Sequence, residues 1–260
     1  MGERRRTRRL SRAALQLTEG LFSHAVDLAL WSVAYFAHLS VTRSMSQLYR
    51  TEMAADRFLS QVNYEVIKNA LNAARKKGWL VTKNRHALPE ITREGKRRLA
   101  SLIPHYDDTR MWDSRMHLIT YDIPEKRRRD RGLLREYLQR IGCGRLQDSV
   151  WMTPYNPIDT LRSFIEEKQL GGTVIVSDIG KDGSIGEEDV QLMVVRTYGL
   201  EPLNDRYEEW LADVGEHGVD HWAVVRYLSI LADDPQLPFP LLPSWWKGEK
   251  AYLSVKNQLL

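Results

Sequence analysis

The sequence predicts an α+β protein in three parts: an N-terminal winged helix-turn-helix, a central ferredoxin-like β/α sandwich and a mostly helical C-terminal domain. Three observations carry that reading. Helical periodicity at the front of the chain gives way to a short basic hairpin. Strand and helix patterns then alternate between proline and glycine stops. Beyond Leu200 the periodicity is helical again.

At 260 residues the chain is long enough for more than one core, and 43% hydrophobic with 28% charged residues excludes wholesale disorder. No apolar run approaches the ~20 residues of a membrane helix. The start, Met1-Gly2-Glu3-Arg4-Arg5-Arg6, lacks the apolar stretch of a secretory signal. The single cysteine, Cys143, excludes an internal disulfide and a cysteine-based zinc site. The expectation is a cytoplasmic chain with no membrane partner.

The net charge of +4 conceals a gradient. Residues 1–100 hold 19 Lys+Arg against 8 Asp+Glu, residues 101–180 balance at 12 each, and residues 181–260 hold 7 against 14. A cationic front suits a polyanion, or is a solvated basic face. Within it, residues 1–22 form a basic flexible arm carrying Arg4, Arg5, Arg6, Arg8, Arg9 and Arg12. Such an arm lies against phosphates or in a minor groove, or serves as a solubilising tail.

The winged helix-turn-helix is expected over 23–103. A dense apolar pattern over 25–39 predicts its first helix, and a less regular one follows over 45–59. Over 62–77, Ile67, Ala70, Leu71 and Ala74 share one face. The other face offers Asn63, Tyr64, Lys68, Asn69, Asn72, Arg75 and Lys76. Gly78 ends this helix and Thr92 caps the next. Between them two short strands flank a tip with Lys83, Arg85 and His86. Such a helix enters a major groove about 12 Å wide while the wing touches backbone. Asn69 and Asn72 suit adenine edges, and Lys68, Arg75 and Lys76 suit phosphate or guanine. A protein-docking adaptor is the alternative use of such a fold. His86 has no partner nearby in sequence, so it reads as solvated rather than as a ligand or a base.

The ferredoxin-like domain is expected over 115–197. A strand over 116–123 ends at Pro124, which also starts a helix reaching Ile141. One strand follows over 145–153, then a helix opened by Asn156 or Asp159. Strands over 173–179 and 190–195 close the domain around a hairpin turn. That turn, 178–189, resembles a calcium loop only faintly. The run Lys126-Arg127-Arg128-Arg129-Asp130-Arg131 reads as a second nucleic-acid surface or as the solvated side of a helix.

Two stretches resemble a known family. Tyr121-Asp122-Ile123-Pro124-Glu125, with Arg131, Leu134-Arg135, Leu138, Gly142, Gly144 and Ser149-Val150-Trp151, looks like the middle domain of PaaX-type regulators. It is also similar to the CRISPR adaptation endonuclease. The tail Asp234-Pro235-Gln236-Leu237-Pro238, with Leu241-Leu242-Pro243, Trp246, Gly248 and Ala251, looks like the PaaX C-terminal signature. The segment from Tyr198-Gly199-Leu200 to Tyr207 fits as well.

The resemblance implies a repressor that binds palindromic double-stranded DNA as a homodimer and is released by an acyl-CoA-type ligand. The sandwich would then be a dimerisation domain and residues 198–260 a helical effector-sensing domain. Trp210, Trp222, Trp245, Trp246 and Tyr207 are enough aromatic surface for an aryl pocket, or are simply core. Phosphates of a CoA thioester would need cations, for which Arg206, Arg226, Lys247 and Lys250 stand in the tail and Arg131 and Arg135 in the centre. Arg131, Arg135, Tyr207, Trp222 and Arg226 are the effector candidates. Likeness to the endonuclease implies a rival in which Asp122, near a dimer axis, holds Mg²⁺ for phosphodiester hydrolysis. Its bland counterpart is an aspartate that caps the following helix.

Overall fold

The structure is a computed structural model that describes residues 21–22, 24–42, 64–82, 89–179 and 189–259. They fall into two compact units. One is drawn from Met1–Tyr106, Arg206–Asp234 and Lys247–Leu260, and the other from Asp107–Asp205 and Pro235–Trp246. The protein is mixed helix and sheet, α+β, as the sequence predicts.

The first unit begins with α1 (Ala25–Thr42) and α2 (Tyr64–Lys76), followed by the strands β1 (Leu80–Val81) and β2 (Glu90–Ile91) and helix α3 (Arg93–Ala100). β1 and β2 pair antiparallel, Leu80 opposite Ile91. The α2 end is a glycine-terminated turn. Gly78 takes φ +72°, its N–H donates to the Arg75 carbonyl at 3.0 Å, and the Trp79 N–H donates to Ala74 at 2.9 Å. Thr92 ties the two neighbouring helices together. Its hydroxyl accepts from Gly95 N at 3.1 Å, capping α3, and donates to the Gly78 carbonyl at 2.6 Å. Gly95 must be a glycine, because a Cβ there would collide with the Trp79 carbonyl oxygen and the Ile91 side chain.

Three later pieces complete this unit: α7 (Leu200–His217) from Arg206 onward, α8 (His221–Asp233), and α9 (Gly248–Val255) with the turn that follows it. Trp31 of α1 stacks on Tyr35 at 5.0 Å and lies 4.6 Å from the His221 ring of α8. Tyr35 meets the same ring edge-on at 5.1 Å, and Tyr106 stacks on Tyr252 of α9 at 3.9 Å. Trp31, Tyr35, Tyr207, Trp210 and Tyr227 are fully buried. Burying each large apolar side chain is worth about 1.5–3 kcal/mol, so the C-terminal helices contribute much of what holds α1 in place.

In the second unit β3 (Met116–Asp122), α4 (Arg128–Arg140), β4 (Gly144–Gln147), β5 (Val150–Thr153), α5 (Ile158–Lys168) and β6 (Thr173–Ile179) follow in order, and the four strands form one antiparallel sheet. Its order is β4-β5-β3-β6, the ferredoxin-like arrangement. Strand alternation sends Ile119, Tyr121 and Trp151 to one face, against Leu134, Leu138, Leu161 and Phe164 of α4 and α5. Met116, Leu118 and Met152 go to the other face, which is covered by α6 (Val190–Tyr198) and the segment 235–246 through Val194, Leu237 and Leu241. The buried Arg110 fixes that segment, donating to the Leu237 carbonyl at 3.1 Å beneath the Phe239 ring.

Two local expectations need correction. The single strand over 145–153 is a hairpin, β4 and β5, turning at Asp148-Ser149, and a bulge between Arg145 and Gln147 sharpens it. The strand over 190–195 is helix α6. Asp189 caps it by accepting from Leu192 N at 2.7 Å, and Gly199 closes it at φ +60°. Its β-branched valines read as strand, but Val190, Val194 and Tyr198 recur at helical spacing. The fourth strand of the sandwich therefore comes from the hairpin. The calcium-loop stretch lies almost wholly outside the described residues. Residues expected as one helical tail, 198–260, are divided between the two units.

Candidate nucleic-acid interface

The exposed side of α2 gathers five of the expected residues. Lys68, Asn69, Asn72, Arg75 and Lys76 face solvent, while Ala70 and Ala74 are buried. Small alanines on the inner face let α2 lie close to α1. Its last turn carries Arg75 and Lys76, where cations favour the negative helix end. Arg75 organises its surroundings: Nη1 donates to the Asn72 side-chain oxygen at 3.2 Å and Nε donates to Thr82 Oγ1 at 3.2 Å. That pair fixes the way the Asn72 amide faces and ties the helix surface to the hairpin. Lys77 lies over the Trp79 ring at 4.5 Å. The face thus offers two amides, able to donate and accept, among cations able to meet phosphates.

Four of the expected DNA-contacting residues are not seen. Asn63, Lys83, Arg85 and His86 lie outside the described residues, as does the basic arm, and the Tyr64 side chain is not described. A residue the sequence reading passed over holds the platform together. Arg98 of α3 grips the buried Asp27 of α1 through Nε and Nη2, at 3.0 and 2.8 Å. The hydrogen bond to Asp27 raises the Arg98 pKa further.

The effector candidates fall in different units, Arg131 and Arg135 in the second and Tyr207, Trp222 and Arg226 in the first. Arg131 donates to the Ile123 carbonyl at 2.7 Å and pairs with Glu125 at 2.8 Å. Arg135 donates to Tyr121 Oη at 2.9 Å and to the Asp148 carbonyl at 3.2 Å. Tyr207, fully buried, donates to Asp234 at 2.8 Å, and Arg226 meets Asp213 at 2.6 Å. These groups are occupied in bracing the fold, and Trp222 is half-buried on α8. The first unit does contain a cavity of about 220 Å³, lined by Trp31, His105, Tyr106, Tyr252, Lys256 and other residues. None of the lining residues was among the effector candidates, because α1, 103–106 and α9 are remote in sequence.

Asp122 is exposed at the end of β3, opposite Thr173. Pro124, two residues on, stands at the cap position of the following turn, without a side-chain cap hydrogen bond. Among the described residues no three His, Cys, Asp or Glu side chains are grouped to hold a metal ion. No helix there is long and apolar enough to cross a membrane.

Comparison with known proteins bears on the central domain. Residues 109–189, which span β3 to β6, match the profile described as the PaaX protein central Cas2-like domain. Among solved structures the chain is similar to an uncharacterized protein from Mycobacterium tuberculosis. The two share 19% identity over 75% of this chain and 82% of that one, with a TM-score of 0.48. No curated protein matches the sequence.

Proposed function

We propose that this chain, whose residues 109–189 match the PaaX central Cas2-like domain, is a PaaX-like DNA-binding transcriptional regulator, a homodimeric repressor on a palindromic operator. The observation that carries this reading is the outer face of α2. Lys68, Asn69, Asn72, Arg75 and Lys76 stand together on a helix whose far side is anchored by Ala70 and Ala74. Amides read base edges, and cations neutralise phosphates. The sandwich serves as the dimerising part, and two α2 helices spaced by about 34–36 Å would meet successive major grooves.

An acyl-CoA-type effector fits the same scheme through the first unit. A cavity of about 220 Å³ is smaller than the ~300–1,000 Å³ that takes a whole drug-sized ligand, so it suits an aryl or short acyl head. Trp31 lines it from α1, and α1 also packs on α2. A ligand preferring one position of Trp31 therefore biases α2, and release follows as a population shift.

Gel shift with duplex from upstream of the protein's own locus tests the reading. Binding should fall several-fold with K68A/K76A and lose sequence preference with N69A/N72A. It should weaken when an aryl- or acyl-CoA is added. A protein that is monomeric and indifferent to duplex at about 100 mM salt would end the proposal.

A further inference from the structure

The run Lys126-Arg127-Arg128-Arg129-Asp130-Arg131 takes no part in the α2 face. It opens α4, where the helix macrodipole is already positive, so its cations are placed against the field. Two of the five are compensated. Arg127 meets Asp130 at 3.4 Å, and Arg131 meets Glu125 at 2.8 Å. Arg127 also covers Gly171, at a point a Cβ would fill, while Gly171 N donates to Asp130 at 3.3 Å. The end of the sandwich is therefore built as a firm rim. On that rim Lys126, Arg128 and Arg129 are exposed, with no hydrogen bond or ion pair among the described residues.

Like charges crowded at the wrong helix end destabilise the free protein, and an anion would relieve them. Residues 124–131 include no aromatic and no amide side chain, so what this rim presents to a ligand is positive charge. That chemistry fits an extended chain of phosphates. We propose that this end of the sandwich is a second contact for the duplex DNA backbone, separate from α2, with Lys126, Arg128 and Arg129 each neutralising a phosphate. It rests on the DNA-binding reading above and adds affinity independent of sequence.

The test uses the full chain and fluorescence anisotropy from about 50 to 200 mM salt. Two duplexes of equal length are compared, one from upstream of the locus and one of random sequence. The K126A/R128A/R129A variant should flatten the log–log salt slope by about 2–3 for each protomer in contact, about 5 for a dimer that engages both rims, on both duplexes, leaving their affinity ratio intact. Its melting midpoint should be unchanged or higher, since only exposed, mutually repelling charges are removed. The K126R/R128K/R129K variant, which keeps the charges, should recover the slope. A wild type that binds while the alanine variant keeps its full slope overturns this surface alone. A wild type that binds neither duplex overturns the regulator reading and this surface with it.

Discussion

Arg98 of α3 clasps Asp27 of α1 with both prongs of its guanidinium, at 3.0 and 2.8 Å, over a carboxylate that is only 3% exposed. Removing the arginine takes both hydrogen bonds from a buried carboxylate that otherwise has His24 Nδ1 3.9 Å away. R98A should cost about 1–3 kcal/mol in urea unfolding of the full chain, and R98K should restore only part of it, because an ammonium cannot match the fork. Since the clasp joins helices on either side of α2, DNA affinity should drop alongside stability. Unchanged stability in R98A would show the clasp to be inert.

His221 is buried in the first unit, where the neutral ring is favoured. Burial beside Trp31, Tyr35 and Trp222 pushes its imidazole from the ordinary 6.5 down to about 3. The unfolded chain therefore takes up a proton below about pH 6.5 that the folded chain refuses until about pH 3. Stability contributed by the neutral ring is whole above 6.5 and falls with acidification, by up to about 1.4 kcal/mol per pH unit. Thermal melts between pH 7.5 and 4.5 should show this slope in the wild type and a flatter one in H221F. Parallel slopes in the two proteins would refute the assignment.

Gly95 is a close-packed point of the first unit. In G95A the new methyl group meets the Trp79 carbonyl and the Ile91 side chain, backbone on one side and core on the other. The expected loss is about 1–3 kcal/mol. T92V, which removes the cap hydroxyl but keeps the shape, should cost about 1 kcal/mol. G132A, at an α4 position where a Cβ meets nothing within 4 Å, should leave stability unchanged or improve it. Chemical denaturation ranks the three.

Cys143 should be silent to thiol reagents. Burial pushes its pKa up to about 12, so almost no thiolate exists at neutral pH. Labelling with a disulfide reagent should be slow in the native protein and immediate in denaturant. Fast native labelling would mean that the α4–β4 corner opens.

Local chemistry was readable wherever it is spelled by neighbours in sequence. Gly78 and Thr92 announce a helix end and a helix start because a left-handed residue and a capping hydroxyl act within one turn. The alternation in 116–122 announces β3 for the same reason. Valines 190, 194 and 195 misled because a short apolar run satisfies two periods, and only Asp189 and Gly199 mark it as helix. The turn at Asp148-Ser149 carries neither glycine nor proline, so the hairpin there was read as one strand. On α2 the exposed residues were legible because amphipathicity is periodic. Arg98 with Asp27, and Trp31 with His221, were not, because such pairs are made between segments far apart in the chain and leave no periodic trace.

That distance has a consequence for synthesis. Residues 1–106 leave the ribosome long before 206–234 and 247–260, which supply the aromatic floor beneath α1. The nascent α1 must wait for that floor until α8 and α9 have been made. A message truncated before α8 would therefore yield a chain whose first unit lacks that floor and whose sheet lacks the 235–246 cover over Met116 and Met152.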